Sequence, residues 1–174
     1  MSLPSLPSHH PGHPGLPEAS ARGQGGTGER GPRTVDVRIE TPRWSFVKGN
    51  GAAGSDFVSP FPCPFNYGSV PGTVAEDGEP EDALVLGPRI GRGELCRRSA
   101  LGLVFFIDAG RRDDKLVCGA GAELESAPTR LFLRFSFTVY ALAKRVQNRL
   151  RGERGRTRFE GLAVFGPATP EAPA

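Results

Sequence analysis

Imidazole is confined to the start of this chain, where His9, His10 and His13 are its three histidines. Nothing beyond them can serve as an imidazole base or ligand, which excludes a histidine-centred triad or zinc site from the rest of the chain. A weak metal-binding tract at these three positions is set against solvent-exposed coil, which suits their surroundings better. Cysteine is also scarce. Cys63, Cys96 and Cys118 are odd in number and lack CxxC spacing, so neither a disulfide framework nor a thiolate zinc site is expected, and a reducing compartment fits. Without a histidine partner the thiols read as packing residues rather than nucleophiles. Long apolar runs are missing as well: the longest, Leu103 to Ile107, falls far short of a bilayer crossing, and no basic region followed by an apolar stretch opens the chain. The expectation is a soluble, unexported, cytoplasmic protein with no membrane partner. A net charge of +3, from 22 basic and 19 acidic residues, is too small to imply nucleic-acid binding without a concentrated basic footprint.

Glycine and proline are plentiful, at 24 and 17 of 174 residues, while an apolar content of 37% still permits the core of one compact domain. Residues 1–32 hold six Pro, seven Gly and four Ser and offer little to offset ordering entropy; they read as a flexible arm. The folded domain is expected over 33–165, with 166–174 as a fraying Pro/Ala tail. With imidazole gone, chemistry there must use carboxylates, amines and phenols.

Val35, Val37 and Ile39 alternate with Asp36, Arg38 and Glu40, the period of a half-buried strand. Gly49 to Gly54 reads as a flexible connection, and alternating Pro60, Pro62 and Pro64 give an extended rim segment. Ala83 to Leu86, Leu101 to Ile107 and Leu116 to Cys118 read as core strands, with a turn around Gly110, an order that suits a small barrel. Between 131 and 139 two periods compete: Leu131, Leu133, Phe135, Phe137 and Val139 alternate, whereas Phe132, Phe135, Val139, Leu142, Val146 and Leu150 lie on a helical face. From Tyr140 the helix prevails, stopping near Leu150 before Gly152, and Phe132, Phe135, Phe137 and Tyr140 are expected in the core. Gly161 to Phe165 supplies a last short strand.

Five acids crowd the seven residues from Glu76 to Asp82, in a Gly- and Pro-containing turn just ahead of a predicted strand. A turn lets carboxylates converge on a hard divalent ion; a solvated acidic loop is the alternative. A second acidic turn, Asp108 to Lys115, follows the strand Leu103 to Ile107, and it too has a plain reading as a locally ion-paired hairpin. If the two turns meet at one rim, Asp77, Asp82, Asp108 and Asp113 supply oxygen ligands to Mg2+ ions while Lys115 faces a phosphate.

The run Asp77-Gly78-Glu79-Pro80-Glu81-Asp82, preceded by Pro64-Phe65-Asn66-Tyr67-Gly68 and Val70-Pro71-Gly72-Thr73 and followed by Asp108 to Lys115, resembles the soluble, magnesium-dependent inorganic pyrophosphatases of the small bacterial type. The resemblance extends in order from about Val35 to Val117, and more weakly through Tyr140 to Glu160. It implies a mixed α/β fold built on a small, closed, OB-like five-stranded β-barrel with flanking helices, a homohexamer, and hydrolysis of inorganic diphosphate with Mg2+. It further implies metal ligation by Asp77, Asp82, Asp108 and Asp113, phosphate binding by Lys48, Tyr67, Lys115 and Tyr140, and Glu79 as the base assisting the attacking water.

Departures from the pattern accompany it. Glu79 stands where an Asp is usual, Lys48-Gly49-Asn50 lacks the second acid of a Lys-x-Glu pair, Ser55 takes an Arg position, and Ala141 follows Tyr140 where a Lys is usual. Fewer cations imply weaker substrate binding, so an impaired or inactive metal-binding relative is the competing reading. The basic stretch 144–158, with seven Lys and Arg against Glu153, admits a different class, an RNA-binding barrel; the aromatics precede that stretch rather than interleave with it, which speaks against a base-stacking platform.

Overall fold

The computed structural model describes residues 33–49, 56–59, 61–76 and 78–166. The proposed arm (1–32), the tail beyond Gly166, most of the Gly49–Gly54 connection, Pro60 and Asp77 lie outside the described residues. In chain order the elements are strands β1 (Thr34–Thr41), β2 (Val47–Lys48), β3 (Phe57–Val58), β4 (Asn66–Ser69), β5 (Asp82–Val85), β6 (Leu95–Asp108), β7 (Arg111–Arg112) and β8 (Lys115–Gly119), then helix α1 (Ala127–Leu150) and strand β9 (Arg158–Val164).

Seven of these strands form one sheet, and β2 with β3 makes a separate two-stranded ribbon. Strand β1 pairs antiparallel with both β4 and β6, β4 with β5, and β6 with β8, while β5 runs parallel to β8. Five strands are therefore linked in a circuit, and β7 and β9 add to the long strand β6. Alternation along these strands divides the apolar residues into two cores. Val37, Ile39, Ala83, Val85, Ala100, Leu103, Leu116 and Cys118 meet on one face of the sheet. Leu84, Val104, Phe106 and Val117 point to the other face, where they pack with Leu124 and with Leu133, Phe137 and Ala141 of α1.

The expected strands are present, with altered ends. Strand β6 begins six residues before Leu101, because Arg97 and Arg98 sit in its polar half against β1 and hide its continuity from an apolar count. Strand β9 begins at Arg158 rather than Gly161. Among the described residues there is one α-helix, and it runs through the ambiguous stretch from Ala127, with proline in its first turn, to Leu150; Gly152, at φ +76, provides the stop. The competing alternation dissolves in the helix, where Leu133 and Phe137 turn inward and Leu131, Phe135 and Val139 outward.

The regular apolar face running from Phe132 to Leu150 is the outer one. Phe135, Leu142, Val146 and Leu150 are 64%, 61%, 56% and 84% exposed, and Phe132 and Val139 are also open to solvent. Of the four aromatics expected inside, Phe137 and Tyr140 are in the core and Phe132 and Phe135 are not. The helix is apolar on two opposite faces, and periodicity alone does not say which one meets the sheet. Small Ala141 allows close approach on the chosen face, and Tyr140, Lys144 and Asn148 stack beside it on successive turns toward the end of β6.

Candidate active site

Register brings the two acidic turns together. In the parallel β5–β8 pair Ala83 lies opposite Leu116, so Asp82 lies level with Lys115; Tyr67 lies opposite Leu84, on the same sheet face. That face carries the α1-side core at its centre, and its rim carries the polar residues. Lys115 is only 4% exposed, and its ammonium donates to Asp82 Oδ2 and Asp113 Oδ1 and sits 5.9 Å from the Tyr67 ring centroid. The segment bearing Asp113 is pinned to β6, because Asp113 N donates to Phe106 O at 3.0 Å and Phe106 N donates to Asp114 Oδ1 at 3.1 Å.

Asp108 ends β6 and is held from α1 and the chain after it. Lys144 Nζ lies 2.5 Å from its Oδ2, and Asn148 Nδ2 and Thr157 Oγ1 donate to its Oδ1 at 2.6 and 3.2 Å. Gly155 makes this docking feasible: a Cβ there would overlap the Ala109 backbone, immediately after Asp108. Tyr140 packs on Phe106 at 5.3 Å between ring centroids, and Lys48 Nζ stands 5.9 Å from the Tyr140 ring centroid. A polar cleft of about 620 Å³ opens beside these residues, lined by Asp108, Asp113, Arg111 and Arg154 among others.

The charges are strongly coupled. Burial pushes the Tyr67 hydroxyl well above its ordinary value, and the adjacent Asp82 carboxylate adds to it. Burial also raises the Asp113 carboxyl; Lys115 opposes this, while like charge on Asp82 and Asp108 reinforces it. Burial acts against the Lys115 ammonium, but Asp82 and Asp113 outweigh it and hold the proton more tightly than usual. Asp108 goes the other way: burial would raise it, yet hydrogen bonds from Lys144 and Asn148 hold its carboxyl below the usual range. Cys118, by contrast, is pushed up to about 12 by burial, which removes it as a nucleophile.

Of the site residues expected from sequence, Asp82, Asp113, Lys115 and Tyr67 are in mutual contact, Asp108 faces them through the same charge field, and Tyr140 and Lys48 border it. Glu79 lies on the exposed turn three residues ahead of Asp82, and its backbone oxygen accepts from Ala75 N at 2.7 Å. Its neighbour Glu81 serves structure, pairing with Arg33 at 2.5 Å. Asp77 lies outside the described residues, as do Asn50 and Ser55.

Two participants escape a reading of the sequence. Asn66 is fully buried and ties three segments together, accepting from the Arg43 and Ile90 amides and donating to the Val85 and Pro88 carbonyls, which fixes the strand that presents Tyr67. Lys144 is the second. Its signal is the i, i+4, i+8 stack of Tyr140, Lys144 and Asn148, which becomes visible once a carboxylate is placed opposite. Part of the basic stretch is thereby committed: Lys144 to Asp108, and Arg145, whose Nε donates to Thr157 O at 2.6 Å.

The donor set suits a hard dication. Asp82, Asp108 and Asp113 bring only carboxylate oxygens, and like charge among them is felt at Asp113, the condition a cation relieves. Among the described residues no three acidic, histidine or cysteine side chains close into a finished cage, since ammonium groups stand between these carboxylates.

A family model described as inorganic pyrophosphatase matches residues 37–125. The inorganic pyrophosphatase of Gluconobacter oxydans is 37% identical over 95 residues, 50% of this chain and 55% of that protein. The soluble inorganic pyrophosphatase of Zea mays is 46% identical over 98 residues, 52% of this chain and 46% of that one. The chain spans about half the length of the curated relatives it matches. Among solved structures, an inorganic pyrophosphatase from Thermus thermophilus superposes with a TM-score of 0.61 at 20% identity, over 80% of this chain and 86% of that one. One from Coxiella burnetii gives 0.58 at 26% identity, over 77% and 88%.

Proposed function

Because the chain belongs to the inorganic pyrophosphatase family, we propose that it hydrolyses inorganic diphosphate to two phosphates at the rim formed by Asp82, Asp108, Asp113 and Lys115. The observation that carries this is Lys115, a buried ammonium bridging one carboxylate from each acidic turn. Residues 33–165 form the working unit, its five-strand circuit a small barrel, and the protein acts in the cytoplasm.

Asp77, Asp82, Asp108 and Asp113 hold the divalent ions, for which Mg2+ is the proposed species. When bound, such ions would neutralise charge on diphosphate and ease deprotonation of the attacking water near neutral pH. Lys115 and Lys48 withdraw charge from the departing phosphate, and the Tyr67 and Tyr140 hydroxyls orient its oxygens. Tyr67 and Tyr140, both raised first of all by burial, remain phenols and therefore donors at neutral pH. Glu79 takes a proton from the attacking water. Its carboxylate stands one methylene further out than Asp would place it, and proton transfer tolerates little displacement.

The test is phosphate release from diphosphate with Mg2+, repeated with chelator and with Glu79→Asp. The parent is expected to release phosphate only with Mg2+, and the shorter acid to raise turnover by roughly tenfold or more. No metal-dependent release from either protein would refute the activity, and the impaired, metal-binding relative would then stand.

The outward face of α1 supports assembly of copies, with a hexamer as the proposed state. Leu131, Phe135, Val139, Leu142, Val146 and Leu150 recur every three or four residues along it and are exposed in a single chain. Light scattering is expected to give about six times the chain mass of 18.5 kDa; a monomer would contradict the proposal.

A further inference from the structure

Helix α1 presents a cation one turn beyond the position where the family pattern puts it. Ala141 directly follows Tyr140, and it is 4% exposed and packed in the α1-side core, so this position cannot offer a charged group to the rim. Lys144 is four residues on from Tyr140, on the same helix face. Its ammonium reaches Asp108 at 2.5 Å.

Lys144 also has a cationic neighbour. Lys48 stands over the Tyr140 ring, and burial together with the positive charge of Lys144 disfavours its charged form, with Cys63 opposing. Two half-buried ammoniums thus flank one phenol, at the edge of a carboxylate cluster. Asp108 compensates one of them. An ion that took Asp108 as a ligand would release Lys144 beside Lys48, and a polyanion would then satisfy both.

We propose that Lys144 is the substrate-binding cation of α1, exchanging Asp108 for an oxygen of the bound diphosphate as divalent ions occupy the site. The inference rests on the diphosphate reading above and deepens it. Lys144 plays two opposed parts: in the metal-free protein it competes with the metal for Asp108, and in the loaded protein it holds phosphate. A lysine serving only to fix α1 to β6 would play the first part through the same ion pair but not the second, so the diphosphonate affinity is the deciding readout.

The experiment therefore reads two affinities by calorimetry in the full chain: Mg2+ alone, and methylenediphosphonate, a non-hydrolysable diphosphate analogue, in saturating Mg2+. Lys144→Met is expected to bind Mg2+ tighter by roughly fivefold or more, because its competitor is gone. The same variant is expected to bind the diphosphonate weaker by about tenfold or more, the loss of one charged hydrogen bond. Lys144→Arg should retain diphosphonate affinity. Lys144→Gln, which keeps a donor for Asp108 but no charge, should show both shifts if the Met variant does not fold. Unchanged diphosphonate affinity in the neutral variants, or weaker binding of both Mg2+ and diphosphonate, would overturn the proposal. Phosphate release by the parent is scored separately. A parent that binds diphosphonate through Lys144 without turnover sinks the activity and leaves the exchange standing; an active parent with an indifferent Lys144 does the reverse.

Discussion

Phe106→Ala is expected to destabilise the fold by about 3–5 kcal/mol. The ring is fully buried, with centroids 6.0 Å from Phe137 and 5.3 Å from Tyr140, so its removal opens a cavity between the sheet and α1 where neither can easily collapse. With a total stability of about 5–15 kcal/mol for a domain of this kind, that loss is a large part of the whole. Urea unfolding should show a lower midpoint at unchanged slope. Function should suffer in the folded fraction too, because the Phe106 ring supports Tyr140, while the backbone bonds from this position to Asp113 and Asp114 are kept by alanine. A cost under about 1 kcal/mol would mean that α1 does not pack on β6 as described.

The same residue shows what could be read in advance. Leu101 to Ile107 is legible as a core strand because its apolar run has no competing period, and Val35 to Ile39 because its alternation is clean. The partners of these strands are not legible. The parallel β5–β8 pairing joins residues more than thirty apart, and no local propensity encodes it. That pairing sets Asp82 beside Lys115, so the convergence of the acidic turns followed from the resemblance of ordered motifs and not from the period of any strand.

In α1 the ambiguity lies in the helix itself. Its sequence carries apolar residues on opposite faces, and the more regular one, Phe135 to Leu150, is the one left outside. What selects the inner face is polar: Lys144 and Asn148 must reach Asp108. Ranking faces by hydrophobicity alone does not select the inner one, and Ala141, which carries no cation, lies in the core. Residue-by-residue matching does not compare positions one helical turn apart, although spatial neighbours on a helix lie three or four positions apart.

Lys115→Met is expected to separate structure from chemistry at the rim. The ammonium it removes is 4% exposed and lies between Asp82 and Asp113, so two carboxylates would be left facing each other without a counter-charge. Breaking a buried ion cluster from one side costs about 3–5 kcal/mol, and the lower end applies because the two carboxylates retain 28% and 27% of their exposure. The Asp113 carboxyl, already raised by burial and by Asp82 and Asp108, loses the one group that Lys115 supplied against that rise. A folded-state carboxyl above its unfolded value favours folding below the unfolded value and loses that contribution as pH rises through the folded one. The stability deficit of the variant should therefore widen as pH increases from the ordinary carboxylate range toward neutrality. Mg2+ should then restore the unfolding midpoint, because a dication held by the same oxygens supplies the missing charge; about 2.7 kcal/mol is regained at a hundred times its Kd. Phosphate release should not recover, remaining at least about a hundredfold below the parent, because the departing phosphate has lost its buried cation. Thermal unfolding across pH with and without Mg2+, beside a release assay, reads all three. A midpoint indifferent to Mg2+ would show that Asp82 and Asp113 do not share a dication, and full turnover would show that Lys115 holds the fold and not the substrate.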